Sequence, residues 1–266
     1  MTKHATEILA QYEAVDRMLV RAGWPATSPW WMREIRRFYT SGRRRWAVRA
    51  GRRGGKSSTL CRVAYVEARW GLHKIPPGDR GWVMFISKDR DEAAQRLHTI
   101  DEIARVVGDV LDVKGDERTF RDRRTGFKVY TASIAGVSGP TSIMVIGDEV
   151  SKWRDADTGS NPSKEVIASA MPTIATMPEG RAVWSSSPLG LADSHAKMIS
   201  AGDNKSQVVS IGATWECNPM ISRNDTRVLE PDERIWAREY AAIPQAGALG
   251  CFDVEDIEAA FEPRGD

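Results

Sequence analysis

The segment that most limits what this chain can fold into is Ala50-Gly51-Arg52-Arg53-Gly54-Gly55-Lys56-Ser57. It follows a short apolar stretch over residues 46–50 that reads as a strand, and it opens a helical pattern over residues 57–70. Glycines at a strand-to-helix turn let backbone N–H groups point inward around an anion, and the helix N-terminus adds the positive end of its dipole. A lysine closing such a loop reaches the β- and γ-phosphates of a nucleotide, and the hydroxyl that follows ligates Mg²⁺. Gly51, Arg52, Arg53, Gly54, Gly55, Lys56, Ser57 and Ser58 are therefore candidate nucleotide-binding residues, and Arg53 and Lys56 are also candidate catalytic groups. The strict pattern has glycine at position 50, where this chain has alanine, so the match is to the relaxed form. The competing reading is a Gly/Arg-rich surface turn ahead of an ordinary helix.

The rest of the chain supplies the context such a loop requires. Residues 5–22 carry Ile8, Tyr12, Val15 and Leu19 on one helical face, and a second helix is expected after Ser28-Pro29. Residues 82–87 form an apolar run suited to a buried parallel strand. Asp89 with Glu92 predicts a helix start, and Gly108 its stop. Residues 117–132 read as a hairpin turning near Arg124-Thr125-Gly126. Further strands are expected over 142–147, 181–186 and 207–212, with helices over 163–171 and 232–241. Strands alternating with helices predict a mostly parallel sheet covered on both faces.

Two strand ends carry further chemistry. The apolar strand over 142–147 runs into Asp148-Glu149, which places one carboxylate near a metal ion and the next near an attacking water. Asp148 and Ser57 are the candidate Mg²⁺ ligands, and Glu149 is the candidate catalytic carboxylate. The strand over 181–186 ends in Ser185-Ser186-Ser187-Pro188, where Ser186 and Ser187 could sense the γ-phosphate and pass on its loss. Trp31 lies where an element stacking on adenine could precede the loop, although paired tryptophans also suit a core. Arg43, Arg44 and Arg45 could meet DNA phosphates or be simply solvated, and Arg118, Arg121, Arg123 and Arg124 lie on the expected hairpin.

Composition excludes several other classes. The chain has 266 residues, 41% of them hydrophobic, which is enough for a substantial core. Its three cysteines and four histidines are scattered, so neither a disulfide framework nor a zinc site is expected, and a reducing compartment fits best. No apolar run approaches the roughly 18 residues of a membrane span. The expected location is the cytoplasm, away from any membrane.

Together these motifs resemble the ATPase domain of phage terminase large subunits, the motors that package DNA into procapsids. The loop at 50–57 with its paired arginines, the acidic pair Asp148-Glu149 and the coupling triplet Ser186-Ser187-Pro188 carry the resemblance. So does the tail, with Arg238-Glu239-Tyr240 followed by Gly250-Cys251-Phe252. The resemblance implies an α/β fold of the P-loop NTPase (ASCE/RecA-like) type, a three-layer sandwich with a mostly parallel central sheet and a small C-terminal lid. It implies residues 1–200 as the ATPase core and 201–266 as lid and linker of the same domain, with the phosphate-loop strand central. It also implies ATP and Mg²⁺ as ligands. The implied partners are double-stranded DNA, a portal protein, a small terminase subunit and further copies in a ring, a pentamer by analogy. A neighbour's arginine would complete each site, with Arg121, Arg123 and Arg124 as candidates. The family's nuclease domain is not expected within this chain. Two other readings stand beside the motor: a helicase-like DNA-dependent ATPase, and a non-hydrolysing DNA-binding module with a relic loop.

Overall fold

The computed structural model describes residues 1–133, 136–154, 159–191 and 193–245. Its framework is one eight-stranded sheet in the order β3-β4-β5-β2-β6-β7-β1-β8. The strands are β1 (Arg45–Ala50), β2 (Gly81–Ser87), β3 (Leu111–Lys114), β4 (Glu117–Phe120), β5 (Thr125–Thr131), β6 (Ser142–Gly147), β7 (Arg181–Ser186) and β8 (Gln207–Gly212). All neighbours pair in parallel except β3 with β4 and β4 with β5.

Alternation along the central strands deals side chains to two cores, as period-two geometry requires. Val83 and Phe85 of β2 and Val183 of β7 pack on one side beneath α1 (Lys3–Arg21), α2 (Pro29–Thr40), α3 (Lys56–Trp70) and α4 (Arg90–Val107). Met84 and Ile86 of β2, with Ala182 and Trp184 of β7, pack on the other side against α5 (Ser163–Ala170) and the turn that follows it. The result is the expected three-layer α/β sandwich with a mostly parallel sheet.

The helix boundaries follow their capping chemistry. Ser28 caps α2 through the Trp31 N–H, with Pro29 in the first turn. The Asp89 carboxylate caps α4 at the Glu92 N–H, 2.8 Å away, and Gly108 ends that helix in the left-handed region.

Three sequence expectations change. The phosphate-loop strand β1 is not central: it lies between β7 and β8, one strand from the sheet edge, because β2 and β5 extend the sheet on the far side of β6. The expected hairpin is a three-stranded meander. Gly115, at φ +54°, makes its first turn, and residues 121–124 its second. Thr125 and Gly126 already belong to β5: the Thr125 hydroxyl is buried on the Ala68 carbonyl at 2.7 Å. A Cβ on Gly126 would stand 2.5 Å from the Arg118 carbonyl of β4, so that glycine serves close strand pairing, not a turn. Finally, the sheet continues past residue 200, since β8 pairs with β1 along its whole length. After α6 (Ser194–Ser200) and β8, what lies over the phosphate loop is the stretch 213–245, with α7 (Thr214–Cys217), α8 (Arg223–Leu229) and α9 (Glu233–Glu239).

A buried ionic cluster ties the N-terminal helix to the core. Nε2 of His4 and of His73 each lie 2.8 Å from Glu67 Oε1, while the Tyr39 hydroxyl donates to Oε2 at 2.6 Å. These His and Glu donors could in principle surround a metal ion. The Leu72 N–H, however, bonds His4 Nδ1 and so places the imidazole proton on Nε2, facing the carboxylate. The group is a hydrogen-bonded lock. Burial would raise the Glu67 carboxyl, but the hydrogen bonds from His4 and His73 outweigh it and hold it well below the usual carboxylate range.

A depressed carboxyl contributes stability in full above its unfolded value of about 4.3, and that stability is lost as pH falls. Glu67→Gln should therefore lower stability at pH 7 by roughly 3–5 kcal/mol, the usual cost of breaking a buried pair. Thermal melts at pH 7 and pH 4 check this. The gap between wild type and variant should narrow at the lower pH.

Candidate active site

The carboxyl ends of β1, β6 and β7 lie along one edge of the sheet, the edge at which parallel α/β sheets bind ligands. From β1 the chain enters the glycine loop. Gly55 takes the left-handed conformation at φ +79° just ahead of α3, and Arg53 does so at φ +59°. The first turn of α3 then presents the N–H groups of Lys56, Ser57 and Ser58, which have no acceptor within their own helix. Arg52, Arg53, Gly54, Gly55, Lys56, Ser57, Ser58 and Glu149 line one open cavity of about 330 Å³.

Segments far away in sequence brace the loop. The Gly51 N–H donates to the Gly212 carbonyl at 3.1 Å and the Arg52 N–H to the Glu239 carbonyl at 2.6 Å. The Thr214 hydroxyl donates to the Arg52 carbonyl at 2.7 Å, and the Asn218 amide to the Arg53 carbonyl at 2.9 Å. A Cβ on Gly51 would lie 2.3 Å from Thr214 Oγ1 and 2.4 Å from the Tyr240 carbonyl, so only glycine admits this packing. Trp31 is buried, and its indole N–H donates to the Gly54 carbonyl at 2.7 Å. Its place is thus beneath the loop rather than on an open face. It also contributes to a separate cavity of about 310 Å³, shared with Thr27, Gly55, Arg62 and Asn218.

The paired arginines diverge. Arg52 is drawn to the Glu239 carboxylate at 2.5 Å. Arg53 is exposed and forms no ion pair among the described residues, which leaves its guanidinium available to an anion in the cavity.

The acidic pair ends β6. Gly147 precedes it for a steric reason: a Cβ there would stand 2.5 Å from the Trp184 ring. The carboxylate of Asp148, buried, accepts from the Ser57 hydroxyl at 3.0 Å and from Arg96 Nε at 2.9 Å, both through Oδ2. Ser57 and Asp148 form an all-oxygen donor pair, the hard ligand type that Mg²⁺ prefers.

Glu149 follows in a left-handed conformation at φ +52°, a strained geometry for a non-glycine residue. One oxygen lies 3.4 Å from Lys56 Nζ; the other lies 3.1 Å from Lys152 Nζ and accepts from the Ser187 N–H at 3.2 Å and the Ser187 hydroxyl at 2.8 Å. Burial pushes this carboxyl up, but Lys56 first, then Lys152 and the Ser187 hydroxyl, bring it down to about 2. It is ionised at neutral pH.

The sequence-predicted residues Lys56, Ser57, Asp148, Glu149, Ser186 and Ser187 thus meet at one place. The hairpin arginines do not join them. Arg118 pairs with Asp101, Arg121 with Asp112, Arg123 with the carbonyls of Arg69 and Gly71, and Arg124 with those of Pro76 and Ile75. Lys152 and Arg96 join the site without having been singled out. Lys152 lies three residues beyond Glu149 in a short 3-10 turn, and its ammonium also donates to the Ser187 hydroxyl at 2.6 Å. Arg96 is one of several charged residues along α4, and no local pattern marks it.

A glycine loop between strand and helix, with an acidic pair and a serine pair on neighbouring parallel strands, defines the P-loop NTPase class of fold. Comparison with solved structures narrows the likeness to the ATPase domain of phage large terminases. An arginine-to-alanine mutant of that domain from Thermus phage P74-26 matches with a TM-score of 0.63 at 16% identity, over 86% of this chain and 98% of that one. The large terminase of bacteriophage HK97 matches with a TM-score of 0.62 at 15% identity, over 98% of this chain and 51% of that one. The large terminase of a thermophilic bacteriophage, in complex with ADP, matches with a TM-score of 0.60 at 12% identity, over 91% and 53%. The chain spans about half the length of the latter two. No protein-family model and no curated protein matches it.

Lys152→Met tests the second ammonium. In a chain that hydrolyses ATP it should lower kcat, by up to about 100-fold if Glu149 shifts by an ångström, while nucleotide affinity stays near that of wild type. Steady-state ATPase kinetics beside nucleotide titrations read the two effects separately.

Proposed function

We propose that this chain is the ATP-hydrolysing motor domain of a DNA-packaging terminase large subunit, working on double-stranded DNA in a ring of copies docked on a portal. The observation that carries the reading is the convergence of Lys56, Ser57, Asp148 and Glu149 at the carboxyl edge of the sheet, with Ser187 holding Glu149. The shared fold and an adenine nucleotide bound to one similar terminase support it.

The chemistry follows from charge placement. Lys56 and the helix N-terminus would hold the β- and γ-phosphates of ATP, with Arg53 free to add charge there. Magnesium, held by the Ser57 hydroxyl and through water by Asp148, would supply positive charge against the phosphate oxygens. Glu149 would orient the water that attacks the γ-phosphorus, as the bond to the β-bridging oxygen breaks to release ADP and phosphate. A carboxyl held near 2 is a weak base. Lys56, on turning from it towards the phosphates, would leave it the stronger base. Ser186 and Ser187, touching the same carboxylate, would register that change and carry it into β7.

The 310 Å³ cavity beside Gly55 and Ser58 would receive the adenine, with Trp31 as its inner wall. The completing arginine from a neighbour remains part of the proposal, though the hairpin arginines are engaged elsewhere on their own chain.

Glu149→Gln should bind Mg·ATP with near wild-type affinity and lose turnover by at least about 100-fold, the scale of general-base and water-orienting effects. Retained turnover would remove Glu149 from its role. Phosphate release should depend wholly on Lys56, with Lys56→Ala as the blank, and the rate per subunit should climb with protein concentration. A flat, Lys56-dependent rate would mark a self-sufficient ATPase and sink the ring. Stoichiometric nucleotide binding without phosphate release at any concentration would instead favour the non-hydrolysing module.

A further inference from the structure

The opposite edge of the sheet carries a second concave surface, of about 780 Å³, larger than either cavity beside the phosphate loop. Its rim takes Arg43, Arg44 and Arg45 from the start of β1, Lys164 from the first turn of α5 and Lys205 from the approach to β8. Sheet pairing brings the rim together, because Arg45 is in register with both Ala182 and Gln207 on the flanking strands.

The cations on this rim divide into two kinds. Arg44 is structural: its guanidinium donates to the carbonyls of Gly180, Ile174 and Met177 and pins the turn before β7. Arg43 lies 3.7 Å from Asp203, which Arg37 also holds. Arg45, Lys164 and Lys205 are exposed, and none has an ion-pair or hydrogen-bond partner among the described residues. Three unpartnered cations around one groove repel one another, and only an anionic partner turns that repulsion into binding. Ile167, Met171, Pro172 and Ala175 add apolar side chains to the lining. These suit the apolar faces of deoxyribose between phosphates.

We infer that this groove, at the sheet edge remote from the nucleotide, is a contact surface for the phosphate backbone of duplex DNA, with Arg45, Lys164 and Lys205 as the contacting cations. The inference rests on the DNA-motor reading above and gives it a place on the molecule. It makes the contact independent of sequence, because phosphates carry no base identity.

The test is fluorescence anisotropy of a labelled duplex about 30 base pairs long, titrated with the intact chain over a range of salt concentrations. The variant Arg45→Gln/Lys164→Gln/Lys205→Gln is compared with Lys3→Gln/Lys74→Gln/Lys114→Gln, which removes equal charge from exposed sites elsewhere. Melting temperature and Lys56-dependent nucleotide binding confirm that both variants are folded.

The groove variant should bind about 10- to 100-fold more weakly, with the slope of log K against log salt reduced by roughly 2–3 units, about 0.9 for each phosphate no longer neutralised. The control variant should keep the wild-type slope. Equal losses in both variants, or no loss in the groove variant, would overturn the groove while leaving a DNA motor intact. Loss of polyglutamate binding by the groove variant with duplex binding unchanged would assign the groove to an acidic protein and overturn the inference too. No duplex binding by wild type even at low salt would remove both the groove and the DNA half of the proposed function.

Discussion

The carboxylate of Glu149 stands between two ammonium groups, Lys56 and Lys152, and much of the site depends on how that contest is settled. In water such contacts are weak, about 1 kcal/mol at 4 Å, but they strengthen severalfold in a poorly solvated site. The glutamate is fixed further by the Ser187 hydroxyl and backbone N–H and by its own left-handed backbone. A polyphosphate offers Lys56 a better partner than one carboxylate. Nucleotide arrival would leave Glu149 with Lys152 and Ser187 alone, one ammonium fewer and correspondingly more basic. On the proposed reading, substrate binding and activation of the base would be one event.

The loop that delivers Lys56 is not self-supporting. Arg53 holds it in a left-handed conformation that costs free energy, and that cost is offset by contacts from Trp31, Thr214, Asn218 and Glu239. These come from segments far apart in sequence, so the loop takes this shape only when the whole domain is assembled. Disturbing residues 213–240 should reach the loop as directly as mutating it.

The legible parts of the sequence were those whose chemistry is local. Strand, glycine loop and helix announce one another within 20 residues or so, and Ser28, Asp89 and Gly108 mark helix ends through bonds made within a turn. The position of β1 beside the edge strand was not legible, because strand order depends on pairings between residues more than 100 positions apart. The role of Gly126 was hidden for a related reason: a turn glycine and a strand-packing glycine look alike until the carbonyl of Arg118 is in place. At the site, Asp148 and Glu149 were found because a strand end is a pattern. Lys152 and Arg96 were missed because a lysine in a loop and an arginine on a charged helix carry no pattern. Trp31 was found for its position, but the structure gives its indole N–H to the loop backbone.

The two concave edges of the sheet are joined by strands that belong to both. β1 runs from Arg45 at the basic groove to Ala50 at the phosphate loop, and its neighbour β7 runs from Arg181 to Ser186. Six residues at about 3.3 Å each span roughly 20 Å, and a parallel strand paired on both sides is too stiff to act as a switch itself. It can instead transmit the state of an element that has two arrangements. The Glu149 carboxylate, facing Lys56 or losing it to a nucleotide, would be such an element at one end, with the turn that Arg44 pins before β7 as the fixed point at the other. Displacement of Ser186 and Ser187 as Glu149 loses Lys56 would then act along β7 against that anchored turn. Force would appear at the edge carrying Arg45, Lys164 and Lys205, where a bound polyanion would feel it.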